Sequence, residues 1–265
     1  MSASIDLPNP EELARLPLSK QQQITAITAA IVDKLKQRQF FDLFPDRDRL
    51  DTDGSILIYS RDKYPKHLEF FSAGANYRER CFLAANRVGK TTCGSYEVTC
   101  HLTGLYPDWW EGKRFEHPVR IWACGRRNES TRDIISASLL GPVAYDGVRK
   151  GLAGTGMIPG HLIGRTTWKR GVEDLVDLVK VQHVGGGWST LGLKSYEQGR
   201  GSFEGTSQHV IWLDEECPQD VYGECLIRLM TTAGIMMVTF TPLAGITEVV
   251  QQFQHASDRA HLGTM

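Results

Sequence analysis

The chain has 265 residues, is 41% hydrophobic and 23% charged, and carries a formal net charge of −1. That balance suits one large α/β domain with an appendage and argues against a uniformly basic nucleic-acid coat, although a near-neutral total is compatible with a local basic lining. Cys81, Cys93, Cys100, Cys124, Cys217 and Cys225 form no CxxC pair and have no histidine at zinc-ligand spacing, so they read as reduced, mostly buried thiols of a cytosolic protein. No apolar run reaches the roughly 18 residues of a membrane span, and the N-terminus has no leader pattern.

In chain order, Leu13, Leu16, Ile24, Ile27, Ile31, Leu35 and Phe40 recur at three- and four-residue steps with no glycine between them. This predicts a helical segment over 11–44. The charged, turn-rich FPDRDRLDTDGS (44–55) predicts a linker or long surface loop, hence a small helical segment, 1–50, ahead of a main domain, 51–265. Short apolar runs then follow: CFLAA (81–85), VRIWAC (119–124), DLVDLVKVQHV (174–184), TLGLKSY (190–196), HVIWLDE (209–215) and IMMVTFT (235–241). Between them, 91–102 and 130–140 have helical composition. This alternation predicts an α/β fold with a mainly parallel sheet flanked by helices on both faces. HVGGGWS joins the runs at 174–184 and 190–196, which predicts a β-hairpin or edge addition.

The segment after CFLAA reads AANRVGKTT: Ala84, Ala85, Asn86, Arg87, Val88, Gly89, Lys90, Thr91, Thr92. It matches the second half of a Walker A phosphate loop, G-x-x-x-x-G-K-[ST], with Ala84 where the first glycine belongs. Phosphate binding needs curled backbone N–H groups, a helix N-terminus behind them, a lysine reaching the β/γ oxygens and a hydroxyl for Mg²⁺. Gly89, Lys90 and Thr91 supply the parts that chemistry requires, and alanine fits at 84 if its backbone stays extended or right-handed. A chance GKT is the plain alternative; the strand–loop–helix context weighs against it.

HVIWLDEEC (209–217) is an apolar strand ending in three acids, as in a Walker B element. Asp214 is placed to hold Mg²⁺ and Glu215 to polarise the attacking water, with Glu216 an alternative base. Acids favour helix starts, which explains one carboxylate well and three poorly. Thr239 and Thr241 close the last strand, where a hydroxyl senses a γ-phosphate through water or simply caps a strand. Upstream, Tyr64 is a candidate to stack on adenine and Lys66 or His67 to bond its edge; packing is the alternative for each.

Together, the aromatic-Pro-Lys segment, NRVGKTT, YEQGRGSFEGTSQHVIWLDEEC and TFTPL resemble the ATPase domain of the large terminase subunit of tailed bacteriophages and prophages, over residues 55–250. The resemblance implies a P-loop NTPase of the additional-strand, catalytic-glutamate type that hydrolyses ATP with Mg²⁺. It implies a homo-oligomeric ring, a pentamer, that threads double-stranded DNA into a procapsid at the portal protein. The small terminase subunit would be a further partner, the host cytoplasm the location, and no membrane would be involved. By position, Lys90 and Thr91 bind phosphate and Mg²⁺, Asp214 holds Mg²⁺, Glu215 activates water, and Thr239 and Thr241 lie in the coupling element. An arginine finger is expected from Arg87 in cis or Arg200 in trans; relatives carry the loop arginine where this chain has Asn86, which leans towards Arg200, with a turn arginine paired with a nearby acid as the equal alternative for that residue. Only a short tail follows Gly245, so the metal-dependent nuclease domain of full-length relatives is not expected here. Two other readings stand beside this one: a stand-alone helicase-like translocase, and a truncated nucleotide-binding prophage remnant without turnover.

Overall fold

The computed structural model describes residues 16–36, 38–241, 248–255 and 260–262; Leu13, Pro242 and Gly245 lie outside them. Helix α1 spans Leu18–Lys36 and α2 spans Gln39–Asp42, and a small antiparallel pair follows, β1 (Arg49–Leu50) with β2 (Ile56–Ile58). Next come α3 (Pro65–Ala73), β3 (Glu79–Leu83), α4 (Lys90–Thr103) and β4 (Arg120–Gly125). A helical stretch, 128–140, widens to a π-helix at Thr131–Ser136. The hairpin β5 (Val143–Asp146) and β6 (Arg149–Leu152) precedes β7 (Ile163–Trp168), β8 (Val176–Gln182) and β9 (Trp188–Ser195). The chain continues through β10 (Val210–Asp214), α5 (Gln219–Leu229), β11 (Ile235–Phe240), α6 (Glu248–His255) and β12 (Ala260–Leu262).

Eight strands form one sheet in the order β12-β3-β11-β10-β4-β9-β8-β7. From β12 to β9 every pairing is parallel, and β8 and β7 then add in antiparallel fashion. The stretch 174–196 is therefore the hairpin its glycines predict. The loop-bearing strand β3 does not touch the acidic strand β10, because β11 lies between them. This is the additional-strand arrangement, and it places the ends of β3, β11 and β10 side by side.

Strand alternation decides what those ends present. Val210 and Trp212 share one face with Ile235 and Met237, in the same core as Phe82 and Cys93. Ile211, Leu213, Met236, Val238 and Phe240 share the opposite face with Val221 and Tyr222 of α5 and Phe253 of α6. Continuing the first pattern by two residues puts Asp214 and Thr239 on the face covered by α4. Both faces are sealed, which is why these strands are almost wholly apolar.

Helix α4 is seated by shape and by charge. Gly94 lies against Trp212 so closely that an added Cβ would sit 2.3 Å from its Cε2. One turn on, Glu97 takes Arg80 of β3 in a fully buried pair, with Nη2–Oε1 at 2.6 Å and Nη1–Oε2 at 3.2 Å. Burial pushes the Glu97 carboxyl up, but Arg80 and His101 outweigh it and hold it below its ordinary value.

Several elements differ from the sequence expectation. Residues 11–44 are not one helix: α1 ends at Lys36, and Arg38 (φ −95°, ψ 0°) turns the chain so that Phe40 stacks on Tyr96 at 4.9 Å. Of the two readings of 44–55 the surface loop holds for 46–55, which are exposed, but its first residue is anchored. Phe44 is buried among Tyr64, Phe71, Tyr96 and Trp109, and the β1–β2 pair follows it. A fully buried phenylalanine contributes roughly 2–3 kcal/mol, enough to dock a segment whose composition is otherwise that of a loop.

Candidate nucleotide site

The loop 84–89 leaves β3 and enters α4 through Gly89, whose φ of +84° is the left-handed conformation that glycine adopts without strain. His67 lies directly behind it: a Cβ on Gly89 would stand 3.2 Å from His67 Nε2. Burial lowers the His67 pKa, so the ring packs under the loop as a neutral imidazole, although the Gly89 and Val88 backbone pulls the other way. Ala84 is buried and within the core, consistent with a small side chain where the loop begins. Arg87 is exposed and left-handed, with φ +65°.

Lys90 is 8% exposed, and its Nζ donates to Ala84 O (3.0 Å), Ala85 O (2.7 Å) and Thr241 Oγ1 (2.8 Å). Burial depresses its pKa while Glu215 and Asp214 act in the opposite sense. The ammonium thus spends its three donors on the loop's own carbonyls and a hydroxyl, partners that a phosphate can replace. Thr241 also stands 2.7 Å from Asn86 Oδ1, tying the end of β11 to the loop.

Asp214 is 5% exposed, and burial raises its carboxyl to about 6. Thr239 Oγ1 donates to Oδ1 at 2.7 Å and Thr91 Oγ1 approaches Oδ2 at 3.4 Å. Trp212 Nε1 donates to Thr239 Oγ1 at 2.8 Å. Thr239 is therefore fully buried and holds the carboxylate, whereas a γ-phosphate sensor would need to reach the cleft.

Glu215 leaves the strand. Its N–H still donates to Thr239 O (2.8 Å), but φ +67° turns its exposed side chain into the cleft. A left-handed, non-glycine residue is uncommon, and such strain gathers at functional sites. Glu216 lines the same cleft, of 680 Å³, so both candidate bases face it. Helix α5 starts only at Gln219, past all three acids, so they do not cap it.

Among the lining residues that the sequence did not single out are Arg126, Arg127 and Tyr196. Tyr196 Oη donates to Asp214 O (2.9 Å) and supports the end of β10 from below. The two arginines follow β4, and the signal available was their place at the carboxyl end of a parallel strand, where α/β sheets put ligands. Two other candidates stand apart. Lys66 is paired with Glu69 on its own helix (2.8 Å), and Arg200 is paired with Glu224 (3.1 Å). Tyr64 meets Phe44 edge-on at 5.6 Å and His67 at 5.4 Å, in the aromatic packing beside the loop. All six cysteines are buried and free, and no described helix is long and apolar enough to cross a membrane.

Among the described residues no cluster of three His, Cys, Asp or Glu side chains stands at metal-holding geometry. The pair Thr91 and Asp214 nevertheless fits Mg²⁺, which takes one carboxylate and a hydroxyl together with substrate phosphate oxygens and water.

Comparison with known proteins places these features in context. The family model for the N-terminal part of terminase large subunits of the T4likevirus type matches residues 81–258. The large terminase subunit of Salmonella phage P22 is 35% identical over 246 residues, which is 84% of this chain and 48% of that protein. The chain thus spans about half the length of that curated relative. The solved large terminase of the thermophilic bacteriophage D6E, in complex with ADP, superposes with a TM-score of 0.50 at 13% identity, covering 76% of this chain and 44% of that one. At that identity the likeness is one of fold.

Proposed function

The chain belongs to the terminase large subunit family, and from that premise we propose that it is the ATPase module of a motor that packages viral double-stranded DNA. The observation that carries the reading is the hydrogen-bonded set Lys90–Thr241 and Thr91–Asp214–Thr239 at the ends of β3, β10 and β11, beside a cleft lined by Thr241 and the outward-turned Glu215. ADP in the D6E relative supports a nucleotide as the ligand.

ATP binds with its phosphates in the curl of 84–89, and Lys90 exchanges its bonds to Ala84 O and Ala85 O for β/γ oxygens. Thr91 and Asp214 would hold Mg²⁺, which would supply positive charge to offset that of the phosphates. Glu215 accepts a proton from water lined up with the γ-phosphorus, so that the phosphoryl group passes to water and ADP leaves. Thr239 keeps the Asp214 carboxylate in its binding rotamer. Through Thr241, the end of β11 touches both Lys90 and Asn86, so loss of the γ-phosphate reaches β11 directly. Tyr64 and His67 border the base, and Arg200 acts on the nucleotide of a neighbouring copy.

In this reading the module works as a ring, a pentamer, docked on the portal of a procapsid in the host cytoplasm, with the small terminase subunit as a further partner. The described helices α1 and α2 lead into the ATPase domain, which takes Phe44 into its core. The test is ATP hydrolysis by the chain with and without Mg²⁺ and linear double-stranded DNA. Turnover that requires Mg²⁺ and rises with DNA and protein concentration is expected. No turnover under any of these conditions, alongside intact nucleotide binding, overturns the proposal in favour of a binding module.

A further inference from the structure

Arg200 opens the tight turn Arg200–Phe203, whose backbone is anchored from below. Phe203 is fully buried edge-on to Trp122 at 5.8 Å, and Lys194 Nζ donates to Ser202 O at 2.5 Å. Gly199 (φ +72°) and Gly205 (φ +101°) bracket the turn with open space around them. The Arg200 side chain stands outside this anchor and is 55% exposed.

Its guanidinium is nonetheless held. Nε and Nη2 both lie 3.1 Å from one oxygen, Glu224 Oε2, on helix α5. The Glu224 carboxylate is 3% exposed, and its other oxygen forms an ion pair with Arg228 Nη2 at 2.8 Å, one helical turn further on, without hydrogen-bond alignment. Two guanidinium groups face one buried carboxylate, so the Arg200–Glu224–Arg228 cluster carries a net positive charge, and Arg200 is its more exposed cation. Nη1 of Arg200 makes no hydrogen bond in the described structure.

We infer that Glu224 is the positioning residue for Arg200: fixed by Arg228, it grips the guanidinium along its Nε–Nη2 edge and presents Nη1 to the triphosphate bound on a second copy of this chain. The inference rests on the reading of Arg200 as a finger acting in trans. A long side chain on a glycine-bracketed turn samples many rotamers, and a buried carboxylate that selects one spares that ordering at the moment of reaction. Glu224 touches no substrate itself and acts only through Arg200.

The test uses the full chain as Arg200→Ala, Glu224→Gln and the double variant, with turnover at saturating ATP, fluorescent-nucleotide affinity and melting measured on each. Glu224→Gln is expected to lower turnover about tenfold or more with affinity unchanged, a part of the ~10³–10⁵ that an arginine finger supplies. The double variant is expected to match Arg200→Ala, because the two side chains act as one unit. Mixing Glu224→Gln with Glu215→Gln copies should restore part of the turnover, since the latter bring an intact Arg200–Glu224 pair to an intact neighbouring site. Parent-level turnover in Glu224→Gln, or a double variant whose loss multiplies those of the singles, overturns the inference. Parent-level turnover in Arg200→Ala overturns the underlying finger reading and is seen separately. If Glu224→Gln fails to fold, Glu224→Asp, which keeps the charge but withdraws it by one methylene, serves in the same comparisons.

Discussion

Thr239 donates its hydroxyl to Asp214 Oδ1 at 2.7 Å while accepting the indole N–H of Trp212 at 2.8 Å. A single buried side chain on β11 thereby fixes the acidic residue of β10 and satisfies the largest buried side chain of the sheet. Sheet order makes this possible, since β11 lies directly beside β10 with Asp214 opposite Thr239. Replacing Thr239 by Val keeps the shape but leaves the indole N–H without its acceptor. The expected loss is about 1–3 kcal/mol of stability, read by denaturant unfolding. Turnover is expected to fall about tenfold or more with nucleotide affinity near that of the parent. Parent-like kinetics would show that the restraint on Asp214 is unimportant.

The same carboxylate makes stability depend on pH. Burial raises Asp214 from its ordinary 3.8 to about 6, so the folded state holds a proton that the unfolded state has released. Stability from this group is therefore fully present below pH 3.8 and lost as pH rises through 6. Asn carries no charge to bury. Without Mg²⁺ or nucleotide, Asp214→Asn is expected to be more stable than the parent by about 2–3 kcal/mol at pH 7. Thermal melts across pH check this, and the advantage should vanish below pH 3.8.

Gly94 gives a steric prediction. A methyl there meets the Trp212 ring at 2.3 Å, between a helix and a strand that both carry site residues. Gly94→Ala should destabilise the domain by about 1–3 kcal/mol through overpacking. It should also lower turnover, because displacing Trp212 disturbs its bond to Thr239. A variant that melts and hydrolyses like the parent would mean that α4 moves aside freely.

The buried Arg80–Glu97 pair, with His101 3.1 Å from the same carboxylate, seats α4 on β3. Glu97→Gln leaves Arg80 charged and poorly paired at 0% exposure, with an expected loss of about 3–5 kcal/mol. Replacing both partners by apolar residues, Arg80→Met with Glu97→Leu, should recover most of it. Denaturant midpoints decide, and equal losses in the single and double variants would contradict the account.

What was legible in the sequence was whatever depends on local pattern. Apolar runs such as HVIWLDE and IMMVTFT announce buried parallel strands, and GKT between a strand and a helix announces the loop. Less visible was what the chain achieves by alternation and tertiary contact. The strand pattern of β10 and β11 implies that Asp214 and Thr239 share a face, yet only the register makes Thr239 the partner of Asp214. Phe40 and Phe44 sit in a charged, turn-rich context whose composition hides their burial. Tyr196 and the arginines after β4 come from strands whose neighbours in space are remote in sequence. A turn arginine such as Arg200 is expected to find an acid, but that the acid is Glu224, on a helix beyond β10, has no sequence signal.

The most direct test of the account compares binding and turnover in Glu215→Gln. The isosteric amide keeps the side chain turned into the cleft but removes the proposed base, so nucleotide affinity should match the parent while hydrolysis falls by about 10²-fold or more. Glu216→Gln, measured beside it, should retain most of its turnover. Parent-level hydrolysis by Glu215→Gln would contradict the account and transfer the role of base to Glu216.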